Sequence, residues 1–217
     1  MPLNLLFHGV GTPRRKLEDG EERLWISPSH FRAVLDIAVA VDTSISVDDG
    51  NISDIEIVLP ALVERGLTAR FFVLAGRLDH PGSLSRSAVR ELHTAGMTIG
   101  SHGMKHRPWR RLTDRQRNEE FVVAREMIAS TIGSAVDEAA CPRGTYERSS
   151  LADLRKQRYR HVHTSDGWPA PADAWLQPRY SISRNDDPAT VEELLTAGPS
   201  LRQRLVHTAK GAFKRYR

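Results

Sequence analysis

Thr43-Ser44-Ile45-Ser46-Val47-Asp48-Asp49-Gly50 is the stretch on which the fold turns. Thr43 to Val47 alternates polar and apolar residues, the period of a strand, and the run ends on two adjacent carboxylates and a glycine. Gly50 permits a sharp backbone turn. Two neighbouring carboxylates at the end of a buried strand are costly to desolvate unless a positive group sits beside them. One of them can ligate a metal while its neighbour accepts a proton from an activated water. A solvated Asp-Asp-Gly turn is the plainer alternative.

The same grammar repeats on both sides of this stretch. Leu3 to Phe7 is a short apolar strand ending at His8-Gly9. Glu18 to Glu22 is polar and loop-like. His30 to Leu35 reads as a short helix leading into the Ala/Val run Ile37 to Val41. Downstream, 51–65 carries Ile55, Val58, Leu59, Leu62 and Val63 on one helical face, with Asn51 or Ser53 as its cap. Pro60 predicts a bend or break inside it. A strand at 69–74, a helix at 84–94 and a strand at 97–100 lead to Ser101-His102. The longest helix is 113–132, opened by Thr113 and Gln116 at capping-box spacing. Strands at 136–141, 159–164 and 179–183 and helices at 149–157 and 188–197 complete the chain.

Strand and helix thus alternate six or seven times, which predicts an α/β domain with a largely parallel sheet. Pattern alone leaves an open sheet and a barrel equally available. In both, functional groups gather where strands end and loops begin. Asp48-Asp49, His102, Pro142-Arg143-Gly144 and Asp166 each follow a predicted strand.

Composition bounds the chemistry. The 217 residues suit one domain over 1–198 followed by a basic, helical C-terminal tail over 199–217. The single cysteine, Cys141, excludes an internal disulfide and a cysteine-rich zinc site, and its place on an apolar strand predicts a buried, inert thiol. The formal charge is +4, yet the tail holds six basic residues and no acid, which leaves 25 basic against 27 acidic residues elsewhere. A near-neutral body argues against a nucleic-acid binder. The segment Met1 to Val10 lacks a basic leader and does not read as a signal peptide, so the expected location is cytoplasmic.

His102-Gly103-Met104-Lys105-His106 supplies the second motif. Histidines at i and i+4 converge on one ion when the segment turns or is helical. Imidazole and carboxylate together suit a divalent metal, zinc first, with cobalt, nickel or manganese also accommodated.

With both motifs in view, the sequence resembles the polysaccharide deacetylase (NodB-homology) family. Ser46 to Gly50 resembles its Thr-Phe-Asp-Asp-Gly motif, and His102 to His106 its His-Ser/Thr-x-x-His motif, with Gly103 in place of the hydroxyl residue. The apolar strand Ala69 to Val73 between them is similar too, and the likeness runs from about Leu3 to Leu195. The resemblance implies a distorted (β/α) barrel with fewer than eight strands. It implies Asp49, His102 and His106 as metal ligands, Asp48 as catalytic base, and an acetylated glycan as substrate, hydrolysed to acetate and a free amine. Relatives acting on O-acetyl groups or other amides, and a catalytically silent metal- and sugar-binding protein, are the competing expectations.

Three further motifs extend the resemblance unevenly. Ala140-Cys141-Pro142-Arg143-Gly144-Thr145-Tyr146 looks like the third, which implies Pro142, Gly144 and Tyr146 near the substrate, but Ala140 stands where the family places the arginine that orients its catalytic Asp. Arg179 or Arg143 could supply that guanidinium. Thr164-Ser165-Asp166-Gly167-Trp168 resembles the fourth, implying Asp166 as a catalytic support and Trp168 as a face for a sugar ring. The fifth, a general-acid histidine, is not recognisable: His207 lies in the tail, and His161 and His163 share one strand face. His8, at the end of the first strand, is expected to be structural. In the tail, Leu201, Leu205, Ala209, Ala212 and Phe213 share a helical face beside basic residues, which suggests weak contact with an anionic membrane surface or packing on the barrel.

Overall fold

The computed structural model describes residues 3–41 and 43–197. Its strands, in chain order, are β1 (Asn4–Phe7), β2 (Gly9–Val10), β3 (Trp25–Ile26), β4 (Ile45–Asp49), β5 (Arg70–Val73), β6 (Thr98–Ser101), β7 (Glu138–Ala140), β8 (His161–Thr164) and β9 (Leu176–Ser181). Seven of them close into an all-parallel barrel in the order β1-β4-β5-β6-β7-β8-β9, sealed by β1 pairing with β9. The question left open between sheet and barrel is therefore answered by a barrel one strand short of eight.

The strands form because both of their faces are buried, so apolar residues follow one another with little interruption. Side chains still alternate. Leu5, Phe7, Val47, Phe71, Val73 and Ile99 belong to the main core outside the barrel wall. There they meet α1 (Pro28–Val41), α2 (Leu59–Glu64), α3 (Arg86–Thr94), α5 (Ala124–Ile132) and α7 (Pro188–Ala197). A second core of Trp109, Phe121, Ala139, Tyr146, Leu154 and Tyr159 lies under α6 (Arg148–Lys156). The alternate residues face the barrel interior: Ser46 and Asp48 both touch the Arg179 guanidinium, which stands 5.1 Å over the Phe72 ring. Gly100 makes room for that ring, since a Cβ there would lie 2.5 Å from it.

Several local expectations are corrected. The Ile37 to Val41 run continues the helix from Pro28 as one 14-residue α1, because Phe31, Val34, Leu35 and Ala38 bury one helical stripe. Pro60 does not break its helix. A π-turn at Asp54–Val58 runs directly into α2, which carries the proline in its first turn, so the chain marks Pro60 by a change of helix type. Ser53 makes no side-chain cap there, and the Asn51 carboxamide is taken by Arg15 Nε at 2.9 Å. The predicted helix from Thr113 opens on a true capping box at α4 (Asp114–Asn118), then passes through a π-turn, Glu119–Val123, before α5. The polar Glu18 to Glu22 loop is ordered: β2 and β3 pair at its two ends and fold it back across the mouth of the barrel. Among the described residues no helix is long and apolar enough to cross a membrane. The tail and His207 lie outside the described residues.

Candidate active site

The carboxyl ends of the strands open into a cavity of about 250 Å³, walled by Leu6, His8, Glu18, Asp48, Asp49, His102, His106, Cys141, Arg143 and Arg179, among others. β4 delivers Asp48 and Asp49 to it, β6 delivers His102, and the loop after β6 delivers His106. Three residues here hold unfavourable backbone conformations, with φ of 80° at Asp49, 53° at His106 and 55° at Arg143. Non-glycine residues rarely adopt such angles, and they persist where surrounding structure fixes them.

Asp48 is gripped by Arg179. Nη1 donates to Oδ1 at 2.7 Å and Nη2 to Oδ2 at 2.8 Å, while the same guanidinium donates to Ser46 Oγ and to the Thr164 carbonyl. Both partners are almost fully buried. Burial alone would push the Asp48 carboxyl up, but Arg179 and then His102 outweigh it and hold the group well below the ordinary carboxylate range. The arginine that Ala140 lacks in the third motif is thus supplied in space by Arg179 on the last strand. Arg143 points instead to Glu18, at 2.6 Å.

Asp49, His102 and His106 offer ligand atoms all within 4.8 Å of one another. His102 Nδ1 hydrogen-bonds the Ala140 carbonyl at 2.9 Å, and His106 Nδ1 bonds Glu18 Oε2 at 2.8 Å. A ring nitrogen facing a carbonyl or carboxylate carries the proton, so each Nε2 is left with its lone pair. Those two Nε2 atoms face Asp49 Oδ1 at 3.6 and 3.4 Å, and Asp49 Oδ1 is buried with no hydrogen-bond partner among the described residues. Burial lowers the His102 imidazole to about 4, so it is neutral at neutral pH. Three converging acceptors with no donor among them fit a divalent cation, and the outward hydrogen bonds on both rings are those that metal-ligating histidines make.

The remaining expected site residues divide. Gly144 and Arg143 line the cavity. Pro142, Tyr146, Asp166 and Trp168 do not form its wall. Tyr146 is buried in the second core, and its hydroxyl donates to Asp166 Oδ2 at 2.7 Å, where Thr164 Oγ1 also donates at 2.9 Å. Asp166 therefore ties the end of β8 to Tyr146. Trp168 is half-buried on the loop after it. His161 and His163 line a separate cavity at the amino ends of the strands, with Arg70 and Gln177, and so cannot serve this site. Cys141 is buried as expected and borders the cavity. His8, read as structural, also borders it, and its Nδ1 has no hydrogen-bond partner among the described residues; burial lowers its pKa against the pull of Asp49 and Asp48. Glu18 was not singled out at all, because a polar loop carries no periodic signal.

The family model described as polysaccharide deacetylase matches residues 42–162. A Bacillus subtilis protein described as a polysaccharide deacetylase, YxkH, is 24% identical over 140 residues, which is 64% of this chain and 49% of that protein. The chain thus spans about half the length of the curated relative it matches. The Streptococcus pyogenes deacetylase PplD, solved in complex with acetate, has the same fold, with a TM-score of 0.77 at 15% identity over 90% of this chain and 98% of that one. IcaB from Ammonifex degensii gives 0.72 at 19% identity over 88% and 96%.

Proposed function

The chain belongs to the polysaccharide deacetylase family, and from that premise we propose that it is a metal-dependent hydrolase removing acetyl groups from an N-acetylated sugar or glycan. The observation that carries the proposal is the bidentate Arg179–Asp48 pair standing beside three donor-free ligand atoms.

Asp49 Oδ1, His102 Nε2 and His106 Nε2 would hold the cation. When bound, it supplies Lewis-acid chemistry, making water more acidic and drawing charge from the acetyl carbonyl. Three protein ligands leave positions open, as a catalytic centre requires. Zinc suits this donor set best, with cobalt, nickel and manganese as alternatives. Asp48 stays ionised across the working pH range and accepts the proton of the attacking water. Its basicity is low because Arg179 holds it so firmly, and it is an effective base only toward water that has been acidified. Arg179 fixes both carboxylate oxygens, so the base has one orientation. The buried walls exclude bulk water from the reacting atoms.

Binding a metal needs one carboxylate, and the second, held charged by a buried arginine, supports turnover over a silent sugar-binding role. The test is acetate release from N-acetylglucosamine oligosaccharides and, in parallel, from O-acetylated glycans, with bound metal measured. Asp48→Asn should keep metal and lose turnover, whereas His102→Ala should lose both. Metal binding without cleavage of any acetylated substrate would sink the enzymatic reading, and cleavage confined to O-acetyl esters would move it to the esterase.

A further inference from the structure

Glu18 reaches the site from the loop that β2 and β3 fold across the barrel mouth. Its Oε2 takes the hydrogen bond of His106 Nδ1 at 2.8 Å, and Arg143 Nη2 lies 2.6 Å from the same oxygen. Its other oxygen pairs with Arg77. The carboxylate is thus charged on both sides by arginines and shared with one imidazole. The loop itself is built to present it. Glu21 is buried, accepts from the Glu18 backbone N–H at 2.8 Å and from Trp25 Nε1, and pairs with Arg15. Arg15 in turn ties the loop to Asn51, two residues after Asp49.

We propose that Glu18 is a positioning residue for the metal centre, which fixes the His106 ring through Nδ1 so that Nε2 faces Asp49 and which joins the cavity wall to the ion. The inference rests on the metal reading above and deepens it. The His106 backbone is in a strained left-handed conformation, at φ 53°, and among the described residues its ring has no other hydrogen bond to set its rotation. Without the carboxylate the ring can turn, and Nδ1 and Nε2 compete as ligands. A histidine whose outer nitrogen bonds a carboxylate is also a more basic ligand, and loss of such a partner typically weakens metal affinity about 10- to 100-fold. The loop that carries Glu18 also provides Asp19, Gly20, Arg23 and Leu24 to the cavity wall.

The experiment titrates Zn2+ into wild-type, Glu18→Ala and Glu18→Gln proteins stripped of metal, and records the visible spectrum of each with Co2+. Glu18 is about one-quarter exposed, so its variants should fold, and melting of the metal-free proteins checks this. The expected result is a 10- to 100-fold weaker Zn2+ affinity in Glu18→Ala with an altered Co2+ spectrum. Glu18→Gln, whose amide oxygen still accepts from Nδ1–H, should recover part of the loss. Metal-free melting temperatures should be close to wild type. Wild-type affinity and an unchanged Co2+ spectrum in Glu18→Ala overturn the inference, as does a loss of metal-free stability with affinity retained. If wild type binds neither ion, the metal reading itself fails and takes this inference with it.

Discussion

The Glu120 carboxylate stands where any side chain on Gly103 would have to go: a Cβ built on that glycine falls inside van der Waals contact with Glu120 Oε2. Glu120 comes from the π-turn Glu119–Val123, is fully buried, and accepts from the Met104 and Lys105 backbone N–H groups at 2.9 and 3.3 Å. Arg107 lies 3.0 Å from its other oxygen. The segment between His102 and His106 is therefore held by a carboxylate from a neighbouring helix. The hydroxyl residue that the family resemblance places at position 103 has no room and no task here.

Gly103→Ser should accordingly destabilise the protein by about 2–4 kcal/mol, through the clash and through a side chain forced to a φ of 81°. Glu120→Ala should also destabilise, by stranding the buried Met104 N–H and loosening the Lys105 N–H beside it. The double variant should be more stable than the sum of the two losses predicts, by about 1 kcal/mol or more. Urea denaturation of the four proteins measures this, and strict additivity would refute the coupling.

Arg179→Ala removes the partner of a buried carboxylate, a change worth about 3–5 kcal/mol in lost stability. With the guanidinium gone, burial pushes the Asp48 carboxyl up. The acid limb of kcat/KM should then move to higher pH, and turnover should fall. An unshifted acid limb would separate Arg179 from the base.

Divalent metal should stabilise the fold by linkage. At a free concentration of about 100 times Kd the gain is about 2.7 kcal/mol, a rise in Tm of about 5–10 °C for a chain of this size. Chelator should reverse it. Asp49→Asn should show no rise, and a rise of full size in that variant would remove Asp49 from the ligand set.

A separate pH dependence comes from the amino end of the barrel. Burial lowers His163 to about 4, even though its Nε2 lies 2.8 Å from Glu138. Between pH 4 and the ordinary value near 6.5, the unfolded chain carries that proton and the folded chain does not. Stability from this group is complete above about pH 6.5, falls as pH drops, and levels off below about 4. His163→Gln should flatten the fall by at most about 3 kcal/mol. Denaturation at pH 7 and pH 4 compares the two slopes, and equal slopes would contradict a neutral buried His163.

What could be read from sequence follows how local each signal is. Asp48-Asp49-Gly50 and the His102–His106 spacing are short, and a strand before each fixes where they point. Strand count and helix order followed from apolar periodicity, while closure into a barrel did not, because β1 and β9 pair across nearly the whole chain. Arg179 could be put forward only as a hypothesis, with Arg143 beside it, for the same reason: the Arg179–Asp48 contact spans 131 residues. Tyr146 and Asp166 were named with the site, and that they bond each other left no mark in the sequence, since spacing does not say which side chains meet across 20 residues. The π-turns at Asp54–Val58 and Glu119–Val123 left no trace, because one extra residue per turn scarcely alters an apolar stripe. His8 and Glu18 sit in stretches with no repeating pattern.

The seam between β1 and β9 also sets an order of events during synthesis. Asp48 is made early and its arginine only at residue 179, and between them lie four of the seven barrel strands, β5 to β8. A nascent chain that has emerged as far as β8 holds all three residues of the candidate metal group but carries Asp48 without its arginine, in an unclosed sheet with two bare edges. Closing the barrel buries Asp48 and gives it its arginine in the same step. An incomplete or clipped chain that lacks β9 is thus left with a sheet that cannot shut and an Asp48 carboxylate with no arginine to orient it.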